Sequence, residues 1–332
     1  MTMTSSKGTL LLSRSDVAGL VTLDDCIDAV ENAFRQYGEG KAIPPKTLGM
    51  PSVDGGFHIK AAMLDRSAPY FAAKLNGNFF HNKQRFAMPN IQGLIALCDA
   101  SNGYPLAVMD SIEVTILRTG AATAVAATHL ARPDSKVATI CGCGNQGRVQ
   151  LRALRRILPL EHVYAFDVDQ NQARDLASEC SQPLGVRVEI VQELAPAVRE
   201  SDVCVTCTPA KAHFLGNDCV APGTFVAAVG ADHEEKQELD PRLVASSKIV
   251  ADITEQCAKI GDLHHAIAAG LMTRDDVHAE LGEIVAGRKP GRTSEKEITI
   301  FDSTGTALQD VAVAAMVYER AVESGHDACF RF

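Results

Sequence analysis

The stretch Ala138–Gln150, ATICGCGNQGRVQ, carries two reactive patterns at once. Gly142, Gly144 and Gly147 spell G-x-G-x-x-G, a turn that lets a backbone approach a pyrophosphate. Cys141 and Cys143 spell C-x-C, a pair of soft metal ligands. Context decides between them. KVATIC before the turn reads as a buried strand, and NQGRVQLRALRRIL after it has helical periodicity. A glycine turn between strand and helix places the helix N-terminus, with its unpaired N–H groups, at the phosphates. The two cysteines fall at the strand end and at the x of G-x-G, where a small side chain suffices. The next strand, HVYAFDV, carries Asp167 near its end. An acidic side chain there accepts ribose hydroxyl protons. Val168 and Asp169 follow it with no basic residue, so a 2′-phosphate would be repelled and NAD(H) is expected over NADP(H).

A second group of residues is out of character with its surroundings. Lys60 in FHIKAAM and Lys74 in YFAAKLN sit inside apolar strand patterns. Alternation puts Lys60 with His58 and Ala62, and Lys74 with Ala72 and Asn76, on one face of each strand. Lysine is rarely buried in such runs without a partner. One reading is the solvated face of an amphipathic sheet. The other is a cationic pocket for a carboxylate substrate, with Lys46, just after Pro44-Pro45, as a third cation. Other candidates are weaker. Cys204 and Cys207 form C-x-x-C inside DVCVTCTP, a strand pattern whose alternation turns them to opposite faces rather than to the helix start of a redox motif. His264 and His265 are adjacent on a helical stretch and share no face, and His213 and Cys219 have no ligand partners at useful spacing. No metal site is expected.

These groups must be held by the elements around them. Thr22–Tyr37 has a helical stripe of Cys26, Ile27, Val30, Ala33 and Phe34. GGFHIKAAML, YFAAKLNG, IQGLIALCD and YPLAVMD read as a sheet, and residues 112–131 as one long helix rich in small residues. KVATIC, HVYAFDV, VRVEIV, DVCVTCT, TFVAAVG, SKIVADI and EITIFDS are short β-branched runs, most of the earlier ones followed by helical patterns. That alternation predicts a doubly wound parallel sheet. A last apolar helix, GTALQDVAVAAMVYERAVE, is expected to return to the first domain.

The chain has 332 residues, room for two domains. Its net charge of −9 argues against a nucleic-acid partner. No apolar run approaches the ~20 residues of a membrane span. The start, MTMTSSKGTLLLSRSD, has no apolar core followed by a cleavage site, so a cytoplasmic protein is expected. In that compartment the ten cysteines are expected to be free and structural.

The run MPNIQGLIALCDASNGYPLAVMDSIEVTILRTGAATAVAATHLARPDSKVATICGCGNQG, with VGADHEEKQELD and IFDSTGTALQD, resembles the ornithine cyclodeaminase/mu-crystallin family over nearly the whole chain. The resemblance implies an α/β fold: a Rossmann-type NAD-binding domain, 118–305, plus an α+β substrate-binding and dimerisation domain, 1–117 with 306–332. It implies a homodimer acting on a small amino-acid or imino-acid substrate. The shared chemistry is hydride exchange between an amino acid's Cα and nicotinamide, through an imino acid. The family's catalytic lysine falls on Lys74 and its catalytic aspartate, in G-[GA]-D-x-x-x-K-x-E-L, on Asp232. Arg118, in the R-T-[GA]-A stretch, is placed near the substrate carboxylate or the cofactor. Thr119, Asn145, Gln146, Thr208, Val229 and Asp310 are implied at the cofactor, beside the glycines and Asp167. Where cyclodeaminases carry a carboxylate-binding arginine this chain has Lys46, and Lys60 replaces an apolar residue. Both look like the alanine-dehydrogenase and imine-reductase branch, and the extra lysine raises the idea of a second substrate carboxylate, as in iminosuccinate. On this reading Lys74 is the base, its pKa lowered by burial and by Lys46 and Lys60. Asp232 orients and deprotonates the water that attacks the imine. His58, Met88 and His233 are candidates for closing the pocket over Cα. The alternatives are ornithine or lysine cyclodeaminase, in which the hydride returns to the cyclised imine, and a mu-crystallin-like binding protein.

Overall fold

The computed structural model describes residues 8–79 and 81–331. Residues 1–7, part of the start read above for a leader, lie outside that range. Two compact units form: one runs to Arg118 and resumes at Thr306, the other is Thr119–Gly305.

The first unit opens with β1 (Thr9–Leu12), α1 (Arg14–Leu20) and α2 (Leu23–Gly38). Ser13 and Thr22 start the two helices with capping boxes, each hydroxyl accepting an N3 N–H while the N3 aspartate accepts the cap N–H. The stripe Cys26, Ile27, Val30, Ala33 and Phe34 is buried. Then come β2 (Lys46–Ser52), β3 (Gly55–Asp65), β4 (Pro69–Phe79), α3 (Asn82–Phe86), β5 (Ile91–Asp99) and β6 (Pro105–Asp110). β2 to β6 form an antiparallel meander, and β1 adds parallel to β6. Helix α4 (Ile112–Leu130) begins here and ends in the second unit.

The second unit contains β7 (Val137–Cys141), α5 (Asn145–Ile157), β8 (His162–Phe166), α6 (Gln170–Leu184), β9 (Arg187–Ile190), α7 (Leu194–Arg199), β10 (Val203–Thr206) and β11 (Phe225–Ala228). It continues through α8 (Pro241–Ala245), β12 (Lys248–Ala251), α9 (Thr254–Ile260), α10 (Asp262–Ala268), β13 (Ala279–Glu280), α11 (Leu281–Val285) and β14 (Thr299–Asp302). Every strand pair is parallel, in the order β13-β12-β14-β11-β10-β7-β8-β9. Around β7 this is the doubly wound order with two strands on one side and the rest on the other, and the topology reverses between β7 and β10. The central strands β10, β11 and β14 are buried along their whole length, as parallel strands between helix layers must be.

The chain then returns to the first unit as α12 (Ala307–Glu323) and β15 (Cys329–Phe330). α12 packs on β3, β4 and α2 and is buried nearly all round, which its alanines and valines permit. Its partner face of the sheet carries Ala62, Leu64, Tyr70, Ala72, Ile95, Leu97 and Met109, all buried.

Candidate active site

β3 and β4 pair with Lys60 directly opposite Lys74, and Lys74 opposite Ile95 of β5. Residues directly opposite share a face, so both lysines project from the face that α12 covers. Lys74 is 3% exposed. Its Nζ donates to Asp310 Oδ1 at 2.8 Å and lies 3.5 Å from Thr115 Oγ1. Arg118, also buried, brings its Nε to 3.3 Å from the same Oδ1 and donates from Nη1 to Gln309 Oε1 at 2.8 Å. Two cations therefore share one carboxylate at the start of α12. Burial pushes Lys74 down to about 7; Arg118 and Lys60 push the same way, and Asp310 opposes them. Burial alone would raise Asp310, yet Lys74 and Arg118 hold its carboxyl below the usual range. Asp310 Oδ2 and Gln309 Nε2 are buried without a hydrogen-bond partner among the described residues, one acceptor and one donor.

Several sequence expectations are refined here. Lys46 opens β2 opposite Ala61, so the register turns it to the face away from Lys60 and Lys74, and it is exposed. Arg118, not Lys46, joins Lys60 in lowering Lys74. Asp310, expected at the cofactor, also has a partner that the sequence did not show, as the counter-ion of Lys74. Met88 also lies elsewhere: with Phe57, Leu75, Phe86 and Leu94 it lines a groove of about 510 Å³, and Phe57, Leu75 and Leu94 stand on the opposite face of the sheet. His58 pairs with Asn76 one row along from the two lysines, on their face.

In the second unit the glycine turn has the form a dinucleotide needs. Gly142 has φ +96°, a conformation that favours glycine. Gly144 caps α5 with no side-chain cap bond, and a Cβ there would meet nothing within 4 Å, so the space beside the start of the helix is open. A Cβ on Gly147 would lie 2.1 Å from the carbonyl oxygen of Gly142, so only glycine lets helix and turn approach this closely. Asn145 is exposed at the first helical position, and Gln146 Oε1 is a buried acceptor without a partner among the described residues. Asp167 follows β8 and accepts the N–H of Cys143 at 2.7 Å and of Asp169 at 2.9 Å, which holds its carboxylate beside the turn. Cys141 and Cys143 are buried and all ten cysteines are free. Among the described residues no group of three or more metal-ligating side chains converges.

Thr208 and Val229 follow β10 and β11, at the carboxyl edge where such sheets bind nucleotides. Asp232 lies three residues beyond Val229, partly exposed, its Oδ1 accepting from Lys236 Nζ at 2.6 Å. Thr119 is buried in α4, its carbonyl accepting from Thr123. The structure thus groups Lys60, Lys74, Arg118 and Asp310 in one unit and the glycine turn with Asp167 in the other. Sequence reasoning missed Gln309 as the partner of Arg118 and Lys236 as the partner of Asp232.

The model of the ornithine cyclodeaminase/mu-crystallin family matches residues 7–325. Three solved structures are similar over almost their whole length. An archaeal alanine dehydrogenase, described as a dimer with bound NAD, is 40% identical with a TM-score of 0.93, covering 98% of this chain and 99% of its own. The Δ(1)-pyrroline-2-carboxylate reductase of Thermococcus litoralis, in complex with NADH and L-proline, is 33% identical with a TM-score of 0.90, covering 96% and 98%. The iminosuccinate reductase of Paracoccus denitrificans, in complex with NAD+, is 36% identical with a TM-score of 0.86, covering 96% and 98%.

Proposed function

The chain belongs to the ornithine cyclodeaminase/mu-crystallin family, and from that premise we propose that it is an NAD(H)-dependent oxidoreductase interconverting a small L-amino acid and its imino or 2-oxo acid at the α carbon. The observation that carries this reading is Lys74, a buried lysine brought to about 7 in a chain that also holds a complete dinucleotide turn. NAD(H), when bound, takes or supplies the hydride at its nicotinamide ring. Gly142, Gly144 and Gly147 with the start of α5 hold the pyrophosphate, and Asp167 holds the ribose hydroxyls. Neutral Lys74 accepts the proton that leaves the substrate ammonium, which makes the free amine from which hydride departs. Asp310 keeps the Lys74 ammonium aimed while that proton is held. Arg118 and Lys60 supply positive charge for the substrate carboxylate. Asp232 deprotonates the water that adds to the imine, and in the reductive direction the imine nitrogen takes its proton from Lys74.

A screen of NADH oxidation with 2-oxo acids plus ammonia or methylamine, with cyclic imines, and with oxaloacetate plus ammonia tests the reading. Stoichiometric loss of NADH, and tighter binding of NADH than of NADPH, are the expected results. Ammonia release from L-ornithine without net change in NADH would make the chain a cyclodeaminase. NADH binding with no turnover across the panel would make it a binding protein.

The same reading includes a homodimer in the cytoplasm. Ten free thiols suit a reducing compartment, and no helix among the described residues is long and apolar enough to cross a membrane. The sheet face turned away from α12 exposes Leu11, Leu48, Met50, Phe57, Met63, Leu75 and Leu94, each between 36% and 56% exposed. So many large apolar side chains on one face mark an interaction surface, and the similar alanine dehydrogenase is a dimer. Leu94→Asp places a charge in the middle of that face. It is expected to shift the protein from dimer to monomer in light scattering; an unchanged dimer would move the interface elsewhere.

A further inference from the structure

Glu238 is fully buried, at 0% exposure, in a loop between β11 and α8. Its Oε1 accepts the Thr208 N–H at 2.6 Å and the Thr208 Oγ1 hydroxyl at 2.7 Å. Its Oε2 accepts the Gly230 N–H at 2.9 Å, eight residues back along the chain. One carboxylate therefore ties together the two loops that leave β10 and β11. It also closes the loop that carries Asp232 into a ring. The backbone of Glu238 is pinned in turn: Asp262 Oδ1 accepts the N–H groups of Glu238 and Leu239, both at 2.9 Å, and the Glu238 carbonyl accepts from Phe214 and Leu215. Gly230 fits this closure because a Cβ there would lie 2.5 Å from Glu238 Oε2 and 2.5 Å from the Thr208 carbonyl. A buried carboxylate costs free energy unless it is hydrogen-bonded, and three donors from two loops offset part of that cost, with burial still holding the Glu238 carboxyl above its usual range.

In a doubly wound sheet the half on the β8 side of the switch point takes one mononucleotide of the dinucleotide and the half on the β10 side the other. Asp167 and the glycine turn mark the adenosine half here. Thr208 and Gly230 belong to the other. We propose that Glu238 is a positioning residue for the nicotinamide end of the dinucleotide: it fixes the loops after β10 and β11, and through the second of them the placement of Asp232. This rests on the NAD(H) reading above. Glu238 touches neither substrate nor cofactor on this account; it acts through Thr208 and Gly230.

Glu238→Gln tests it. The amide keeps one acceptor oxygen but turns an NH2 toward one set of donors, leaving a buried N–H unpaired. NADH binding, followed by its fluorescence, is compared with binding of ADP-ribose, which lacks the nicotinamide, followed by calorimetry. The dissociation constant for NADH is expected to rise about tenfold, with ADP-ribose within about twofold of wild type. Thr208→Val removes one donor and keeps the N–H, and is expected to move NADH the same way by about threefold. If the Gln variant folds poorly, the Val variant decides. Equal weakening of both ligands would assign Glu238 a general scaffolding role, and no weakening of either would assign it none; both results overturn the proposal. A wild-type protein that binds neither ligand would instead overturn the NAD(H) reading.

Discussion

Lys74→Ala is expected to lower kcat by about 10²–10⁴-fold in both directions, the range that a single positioned acid–base group contributes. NADH affinity is expected to stay within about twofold, because the glycine turn and Asp167 belong to the other folded unit. The pH dependence follows from the geometry. Lys74 is pushed down to about 7, mainly by burial, and only its neutral form accepts a proton. For amino-acid oxidation, kcat/KM should rise about tenfold per pH unit below that value and level off above it. For imine reduction the protonated form is the donor, so the rate should fall above about 7. Asp310→Asn separates this account from a generic basic-group effect. Asp310 favours the ammonium form of Lys74, so its loss should move the oxidative inflection to lower pH. A fully active Lys74→Ala variant, or an inflection that Asp310→Asn moves upward, would sink the assignment.

How far the sequence reached depended on how local each constraint is. The glycine turn was legible because its requirements lie within a few residues: a positive φ at Gly142, an open cap at Gly144 and a close helix approach at Gly147. Lys60 and Lys74 were legible as a shared face because strand alternation is also local, and the register then sets them directly opposite each other. Lys46 was not. Its strand, KTLGMPS, is an exposed edge whose only apolar alternation is Leu48 and Met50, interrupted by a glycine and a proline, which is too short a pattern to announce a strand or its register. Asp310 shows the same limit at longer range. Its place at a helix start is visible, but not that this helix returns beneath β4, where Lys74 must find an anion. Glu238 fills a fixed position of the motif around Asp232, but its role is not legible there; its three donors come from Thr208 and Gly230, which the chain brings to it only by folding.

Two glycine variants separate folding from binding. Gly147→Ala forces a Cβ to 2.1 Å from the Gly142 carbonyl oxygen and 3.1 Å from Ile140 Cγ2. The first contact is with backbone, so no side-chain rotation relieves it, and α5 must shift away from β7. That strain should cost about 1–3 kcal/mol of stability. Displacement of the helix N-terminus should also take away the N–H groups that face the pyrophosphate, so NADH affinity should fall about hundredfold, the worth of two charge-assisted hydrogen bonds. Gly144→Ala differs because a Cβ there meets nothing of the protein within 4 Å, and Gly144 already has an ordinary φ of −71°. Its thermal midpoint should match wild type while its NADH affinity falls by a similar factor, because the added methyl fills the space through which the pyrophosphate reaches the backbone. ADP-ribose, which carries the same pyrophosphate, should be lost in parallel from both variants, unlike the split expected at Glu238. A stable Gly144→Ala protein that binds NADH as wild type does would mean that this turn holds no dinucleotide, and the hydride transfer that proton exchange at Lys74 serves would lose its carrier.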